Sequence, residues 1–121
     1  MKFTRELPTT VMIRSVSDDG LMIGDTNHQR TIAITTDEIF DTWCEKSISE
    51  LQSEDFDELL ATEPEIVILG TGSAIVFAPR ELVFAFARRN VGLEIMDTKA
   101  AARTFNVLAG EGRKVAAVLY V

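Results

Sequence analysis

At 121 residues, 46% hydrophobic and 26% charged, the chain has the size and makeup of one ordinary globular domain, able to bury roughly two thirds of its unfolded surface. A single cysteine, Cys44, and a single histidine, His28, are too few for the usual zinc or iron–sulfur ligand sets, so no metal and no cofactor is expected. The net charge of −7 is unevenly placed: eleven acids and one base, Lys46, fall between positions 37 and 65, a local balance of −10 against +3 for the rest, and no dense cationic face is left for nucleic acid.

The opening Met1-Lys2-Phe3-Thr4-Arg5-Glu6 lacks the apolar run of a secretory signal, and no apolar stretch is long enough to span a bilayer. A cytoplasmic protein, not an integral membrane one, is expected. Residues 1–35 read as a small β-meander. Val11-Met12-Ile13-Arg14-Ser15-Val16 is rich in strand formers, Asp18-Asp19-Gly20 is a tight-turn signal, and Leu21-Met22-Ile23 is the hairpin partner. After a second turn at Gly24-Asp25-Thr26-Asn27, with His28 in a solvated loop, Thr31-Ile32-Ala33-Ile34-Thr35 alternates as a strand with one buried face.

Residues 36–63 form an acidic connecting segment, read either as a solvated face or as a surface that steers a basic partner. Ile39, Phe40 and Trp43 are expected on the core, and Cys44 beside Trp43 reads as a small buried apolar residue; a thiol–imidazole dyad with His28 is the alternative. Ser53 is placed to cap a short helix whose Phe56, Leu59 and Leu60 share one face.

From 64 to 121 the pattern becomes β-α-β-α-β. Ile66-Val67-Ile68-Leu69 has no polar side, which predicts a strand covered on both faces. Pro79 suits the first turn of a helix carrying Leu82, Val83, Phe86 and Ala87 and ending in Arg88-Arg89-Asn90. Leu93-Glu94-Ile95-Met96 is the next strand. Asp97 caps a second helix with an Ala101, Ala102, Phe105, Leu108, Ala109 stripe that Gly110 stops, and residues 115–120 close the unit.

In open α/β sheets ligands gather outside the carboxyl ends of the strands, where helix N-termini offer free N–H groups. Two loops meet there: Gly70-Thr71-Gly72-Ser73 and Asp97-Thr98. A small anion could sit between them, held by main-chain N–H groups and the hydroxyls of Thr71, Ser73 and Thr98; alternatively the glycines only turn the chain and Asp97 only caps. Nucleotide fingerprints fit poorly. Ile75 occupies the place of the third glycine of a dinucleotide loop, and no Gly-Lys-Ser/Thr ending marks a P-loop. Ser73 lies in no Gly-x-Ser-x-Gly elbow.

Leu69-Gly70-Thr71-Gly72, Asp97-Thr98, Arg103-Thr104-Phe105-Asn106 and Glu111-Gly112-Arg113 together resemble the signature of a widespread family of small domains of unknown function. Its relatives include the mitochondrial respiratory complex I assembly factor 3 and the adipogenesis-associated domain protein. The motifs cover the last half of the chain; the first half adds strand layout and Trp43. The resemblance implies a three-layer α/β domain with a central mixed sheet, and brings no established substrate or catalytic residue. Family members often carry cysteine before the Arg-Thr pair and tyrosine after it, where this chain has Ala102 and Phe105. That departure argues against thiol chemistry there.

Helical spacing puts Lys99, Arg103 and Asn106 on the face away from the apolar stripe. Arg103 is read as an anion ligand or as the partner of an acid such as Glu111. Arg113 reaches the Gly70 loop only if the last strand runs antiparallel to residues 66–69. Two functions follow: a non-catalytic interaction or assembly-factor-like protein, with a link to membrane or respiratory complex assembly, and a small anionic-ligand-binding protein or enzyme using Gly70, Thr71, Gly72, Ser73, Asp97, Thr98 and Arg103. A protein partner is expected in the first, and a homodimer through an edge strand is a further expectation.

Overall fold

The computed structural model describes residues 11–121; the run Met1 to Glu6 and the start of the 1–35 segment lie outside the described residues. Strands β1 Ile13–Ser17, β2 Gly20–Ile23 and β3 Thr26–His28 form a small antiparallel sheet in the order β1-β2-β3. The first turn depends on Gly20, whose φ is +131° and whose Cβ, if it had one, would stand 2.5 Å from the His28 carbonyl oxygen. His28 is thus half-buried in β3 and not in a solvated loop.

The main sheet is built from β4 Ile32–Thr35, β5 Ile39–Phe40, β6 Ile66–Thr71, β7 Gly92–Met96 and β8 Val115–Tyr120, in the order β5-β4-β8-β6-β7. β6 lies parallel between β7 and β8, and β4 runs antiparallel to β8, with Ile32 opposite Leu119. β4, the last strand of the 1–35 segment, is thus the one that joins the central sheet, while β1 to β3 keep a sheet of their own. All four of its residues are buried. Its alternation is real, but Ala33 is small enough to serve as an apolar residue on the second face.

The two faces carry separate cores. Ile32, Ile34, Ile68, Ala117 and Leu119 pack against Ala101, Ala102 and Phe105 of helix α3 (Thr98–Gly110) and against Ile13, Leu21 and Ile23 of the meander. On the reverse face Ala33, Val67, Leu69, Ala116 and Val118 meet Leu82 and Phe86 of α2 (Arg80–Arg88) together with the connecting segment. This is the expected three-layer α/β domain with a mixed sheet.

In the connecting segment, 3-10 turns at Ile48–Glu50 and Ser53–Phe56 lead into a single helical turn, α1 (Asp57–Leu60). Phe56, Leu59 and Leu60 are buried, as their spacing predicts. Ser53 is not the cap. Gln52 precedes the turn, and its N–H donates to the Asp55 carboxylate at 2.8 Å. Phe56 anchors the layer by edge-to-face contacts with Trp43 and Phe86, each at a centroid distance of 5.1 Å, and burying such a ring contributes about 1.5–3 kcal/mol.

The order of the strands positions the site. The chain steps from β6 out to β7 through α2, then back across β6 to β8 through α3. Crossovers of one hand taken in opposite directions put the two helices on opposite faces. The loops leaving β6 and β7 therefore diverge at the carboxyl end of the sheet, which is a topological switch point.

Candidate functional site

The structure brings the two predicted loops together and fills the crevice between them with their own polar groups. Thr98 is 2% exposed. Its hydroxyl accepts from the Gly72 N–H at 2.8 Å and donates to the Tyr120 carbonyl at 2.6 Å, while its N–H donates to the Gly72 carbonyl at 2.9 Å. One threonine thereby joins the ends of β6 and β8 to the start of α3. The Thr71 hydroxyl accepts from the Val76 N–H at 3.1 Å and has its single proton available to the Ala74 carbonyl at 2.6 Å, or to the Met96 carbonyl at 3.3 Å.

The N-terminus of α3 is similarly occupied. Asp97 is the cap, its carboxylate accepting from Ala100 N–H at 2.9 Å and its carbonyl from Ala101 N–H at 2.8 Å. With the Thr98 N–H bonded to Gly72, only the Lys99 N–H of the first turn lacks a partner among the described residues. The helix end is an anion site in principle, but here the chain satisfies most of its donors.

The glycines differ in purpose. Gly72 has φ of +100° and open space where a Cβ would be, so it turns the chain. Gly70 lies inside β6 and does not turn it. A Cβ there would fall 3.0 Å from each of Ala101 Cβ, a Leu119 methyl and the Thr98 hydroxyl oxygen, so its bareness lets α3 lie close on the sheet.

What stays open is a cleft of about 280 Å³ bordered by Asp18, Gly72, Ser73, Asp97, Thr98 and Lys99, with Tyr120 and Val121 at its side. Ser17, Ser73 and Lys99 are its exposed polar groups of the kind an anion needs; the carboxylates of Asp18 and Asp97 oppose one. Small-molecule pockets usually begin near 300 Å³, so the space is at the lower limit. Arg103 does not line it. One turn along α3, Arg103 borders a neighbouring groove with Arg14, Ser15, Lys99 and Asn106, and no carboxylate among the described residues pairs with it.

Three more residues differ from expectation or settle a choice left open. Asn106 is half-buried and clamps the irregular start of β1, accepting from Ile13 N–H at 3.0 Å and donating to Ile13 carbonyl at 2.8 Å. Its amide sits 93 residues from its partner, a contact no spacing rule anticipates. β8 is parallel to β6, so Arg113 begins it at the far end of the sheet, where its Nε lies 3.3 Å from Glu65. Cys44 packs partly buried on the α2 side of the sheet, whereas the meander carrying His28 covers the α3 side. The sheet separates them, and the dyad does not form.

A second polar cluster lies on the α2 side. The half-buried Tyr120 hydroxyl donates to the Lys46 carbonyl at 2.8 Å, and burial raises its pKa above the ordinary 10.0, with the Trp43 indole acting in the opposite sense. Lys46 bonds the Asp55 carboxylate at 3.0 Å, and that bond raises its own pKa above 10.5. Among the described residues no group of histidine, cysteine and acids is arranged to hold a metal ion.

A family model described as protein of unknown function (DUF498/DUF598) matches residues 13–120, the whole arrangement from β1 to the end of β8. The chain belongs to this family. Within the family it is 30% identical to the "13 kDa major membrane protein" of Francisella tularensis over 82% of this chain and 80% of that one. It is also 30% identical to bovine NADH dehydrogenase [ubiquinone] 1 alpha subcomplex assembly factor 3, over 95% of this chain; it spans 63% of that relative's length. A Xanthomonas campestris protein solved by NMR has the same fold, with a TM-score of 0.88 and 34% identity over 100% of this chain and 92% of that one. The matched range takes in both loops of the site, and none of these relatives is named for a reaction on a small molecule. Among the described residues no helix is long and apolar enough to cross a membrane.

Proposed function

We propose that this chain is a non-catalytic interaction protein that acts like an assembly factor, offering a rigid surface to a protein partner. One observation carries the reading: at the switch point of the sheet, where an α/β enzyme places its reacting groups, the Thr71 and Thr98 hydroxyls, the Gly72 N–H and the Asp97 carboxylate are all engaged in hydrogen bonds within the chain, to Ala74, Tyr120, Thr98 and Ala100 respectively. Such a site is built for rigidity, since each of these groups would have to break a bond to serve a substrate. The relatives named for complex I assembly and for the membrane support a partner in or beside a membrane complex.

The acidic surface is the natural contact for a basic partner. Glu54, Asp57 and Glu58 are exposed, whereas Asp55 holds Lys46 and the Gln52 N–H and must be left intact. Affinity capture from the native cell with Glu54→Lys, Asp57→Lys and Glu58→Lys combined is expected to lose the partner that the unaltered chain retains, with fractionation placing the complex. Retention of every partner would remove the acidic surface from the reading.

A second reading, a small anionic ligand in the cleft, is favoured by the exposed Lys99 ammonium and Ser73 hydroxyl on its rim. Native mass spectrometry of gently purified protein is expected to show a bound acid that Lys99→Glu abolishes. A bare protomer would end this reading and leave the first untouched.

A further inference from the structure

Ala74-Ile75-Val76-Phe77-Ala78-Pro79 contains no polar residue and forms neither helix nor strand. Ile75 is 58% exposed and Phe77 85%. An irregular apolar run of this length in solvent marks a surface that something covers. Helix α2 extends it. Leu82 and Phe86 face the core, and Phe84, two positions from each, stands at the opposite pole of the helix, 51% exposed. With Val76 and Val83, also exposed, five exposed apolar side chains fall within ten consecutive residues, an apolar ridge in sequence that runs from the loop onto α2.

We propose that this ridge is the contact surface for a second copy of the chain, packed about a two-fold axis. The inference goes beyond the assembly reading and does not depend on it. Size is the first argument. At these exposures the five side chains present about 500 Å² per copy, so a symmetric contact covers on the order of 1,000 Å², the floor for a specific interface.

Charge is the second. Exposed Arg80, Arg88 and Arg89 flank the ridge on α2 and just after it. Exposed Glu54, Asp57 and Glu58 lie in the same layer, on the turn that packs beside α2 through the Phe56–Phe86 contact. A face bearing both signs complements itself across a two-fold axis, the arginines of each copy meeting the acids of the other. An anionic lipid surface would attract the arginines but repel those acids and the net charge of −7.

The backbone supplies the third argument. Among the described residues Val76 is the only one of residues 75–78 whose N–H has a partner, the Thr71 hydroxyl. The rest of the run is open to pair with an extended segment of the other copy. The exposed edge of β7 is a poorer choice. Its full antiparallel pairing with itself would set Glu94, the middle residue, against Glu94 of the copy.

Sedimentation velocity of the full chain from micromolar to millimolar concentration tests this. A reversible dimer is expected, with Phe77→Ser and Phe84→Ser each weakening it by about tenfold or more while the circular dichroism melt is unchanged. Added salt should weaken the dimer as well. A monomer throughout the range overturns the proposal, as does a dimer that neither substitution affects. A monomer that co-sediments with phosphatidylglycerol vesicles through Phe77 overturns it in favour of a lipid surface. A monomer that both substitutions release from a different protein overturns it in favour of that partner.

Discussion

Thr98 and Ser73 lie in the two facing loops and both carry a hydroxyl, yet they have opposite weight in the structure. The Thr98 hydroxyl is buried and serves a donor and an acceptor at once; Thr98→Val, nearly isosteric, leaves the Gly72 N–H and the Tyr120 carbonyl without it. A loss of about 2–3 kcal/mol is expected in urea unfolding, since each buried backbone group so orphaned costs about 1–3 kcal/mol. Ser73 is exposed, and Ser73→Ala should stay within about 0.5 kcal/mol of the unaltered chain. Equal effects from the two would mean that Thr98 does not join the strand ends as described. The meeting of these loops was legible in the sequence because two strands each followed by a helix must send their loops to one end of a sheet. The direction of the hydroxyls was not, because it depends on β8 lying beside β6, and the β8 strand comes 44 residues after β6. The same limit hid the role of Gly70, which is set by how closely Ala101 and Leu119 approach it.

At the scale of elements, β8 and the connecting segment are held together by Tyr120 and Lys46. The tyrosine is the last residue of the central strand, and its hydroxyl reaches the Lys46 carbonyl, next to the Lys46–Asp55 pair. Its pKa is raised in the folded state, chiefly by burial. The unfolded chain therefore loses the phenol proton first as pH rises through 10.0, and from there upward unfolding is increasingly favoured. Lys46 acts in the same sense: its raised pKa contributes stability that is complete below 10.5 and lost as pH climbs through the folded value. Melting followed from pH 8 to 11 is expected to show Tyr120→Phe less stable by about 1 kcal/mol at pH 8, with a shallower decline above pH 10. A parallel decline in both proteins would assign the alkaline loss to other groups. The helices and the β6–β8 unit were legible from period and caps, whereas which strand of the 1–35 segment joins the central sheet was not. Local alternation reports that a face is buried; it does not say which of two sheets buries it.

Across the whole molecule the excess negative charge is concentrated in one segment. The segment from 37 to 65 holds a balance of −10, and its turns and helix pack on the α2 face, away from α3 and the meander. Glu54 and Glu58 stand four residues apart, with Asp57 between them, all exposed on consecutive turns. Like charges at that spacing repel by a few tenths of a kcal/mol per pair. Opposing attractions are weak, because Arg14–Asp25, Arg30–Glu45 and Arg113–Glu65 are exposed pairs at 3.4 Å, 2.6 Å and 3.3 Å, of a kind worth about 0–1 kcal/mol each, and Lys46–Asp55 alone among the described pairs is more sheltered. Repulsion should therefore win at low ionic strength, and screening should relieve it. The melting temperature is expected to rise as sodium chloride is taken from about 0.01 to 0.15 M, where the screening length falls from about 30 to 8 Å. Glu58→Lys should raise stability by about 0.5 kcal/mol at low salt and flatten that rise, because it turns one repulsive neighbour into an attractive one. A melting temperature that falls with salt would reverse the balance and make the exposed ion pairs the larger effect. Since self-association would add cross-copy attractions that salt also screens, the comparison belongs at concentrations where sedimentation finds only the monomer.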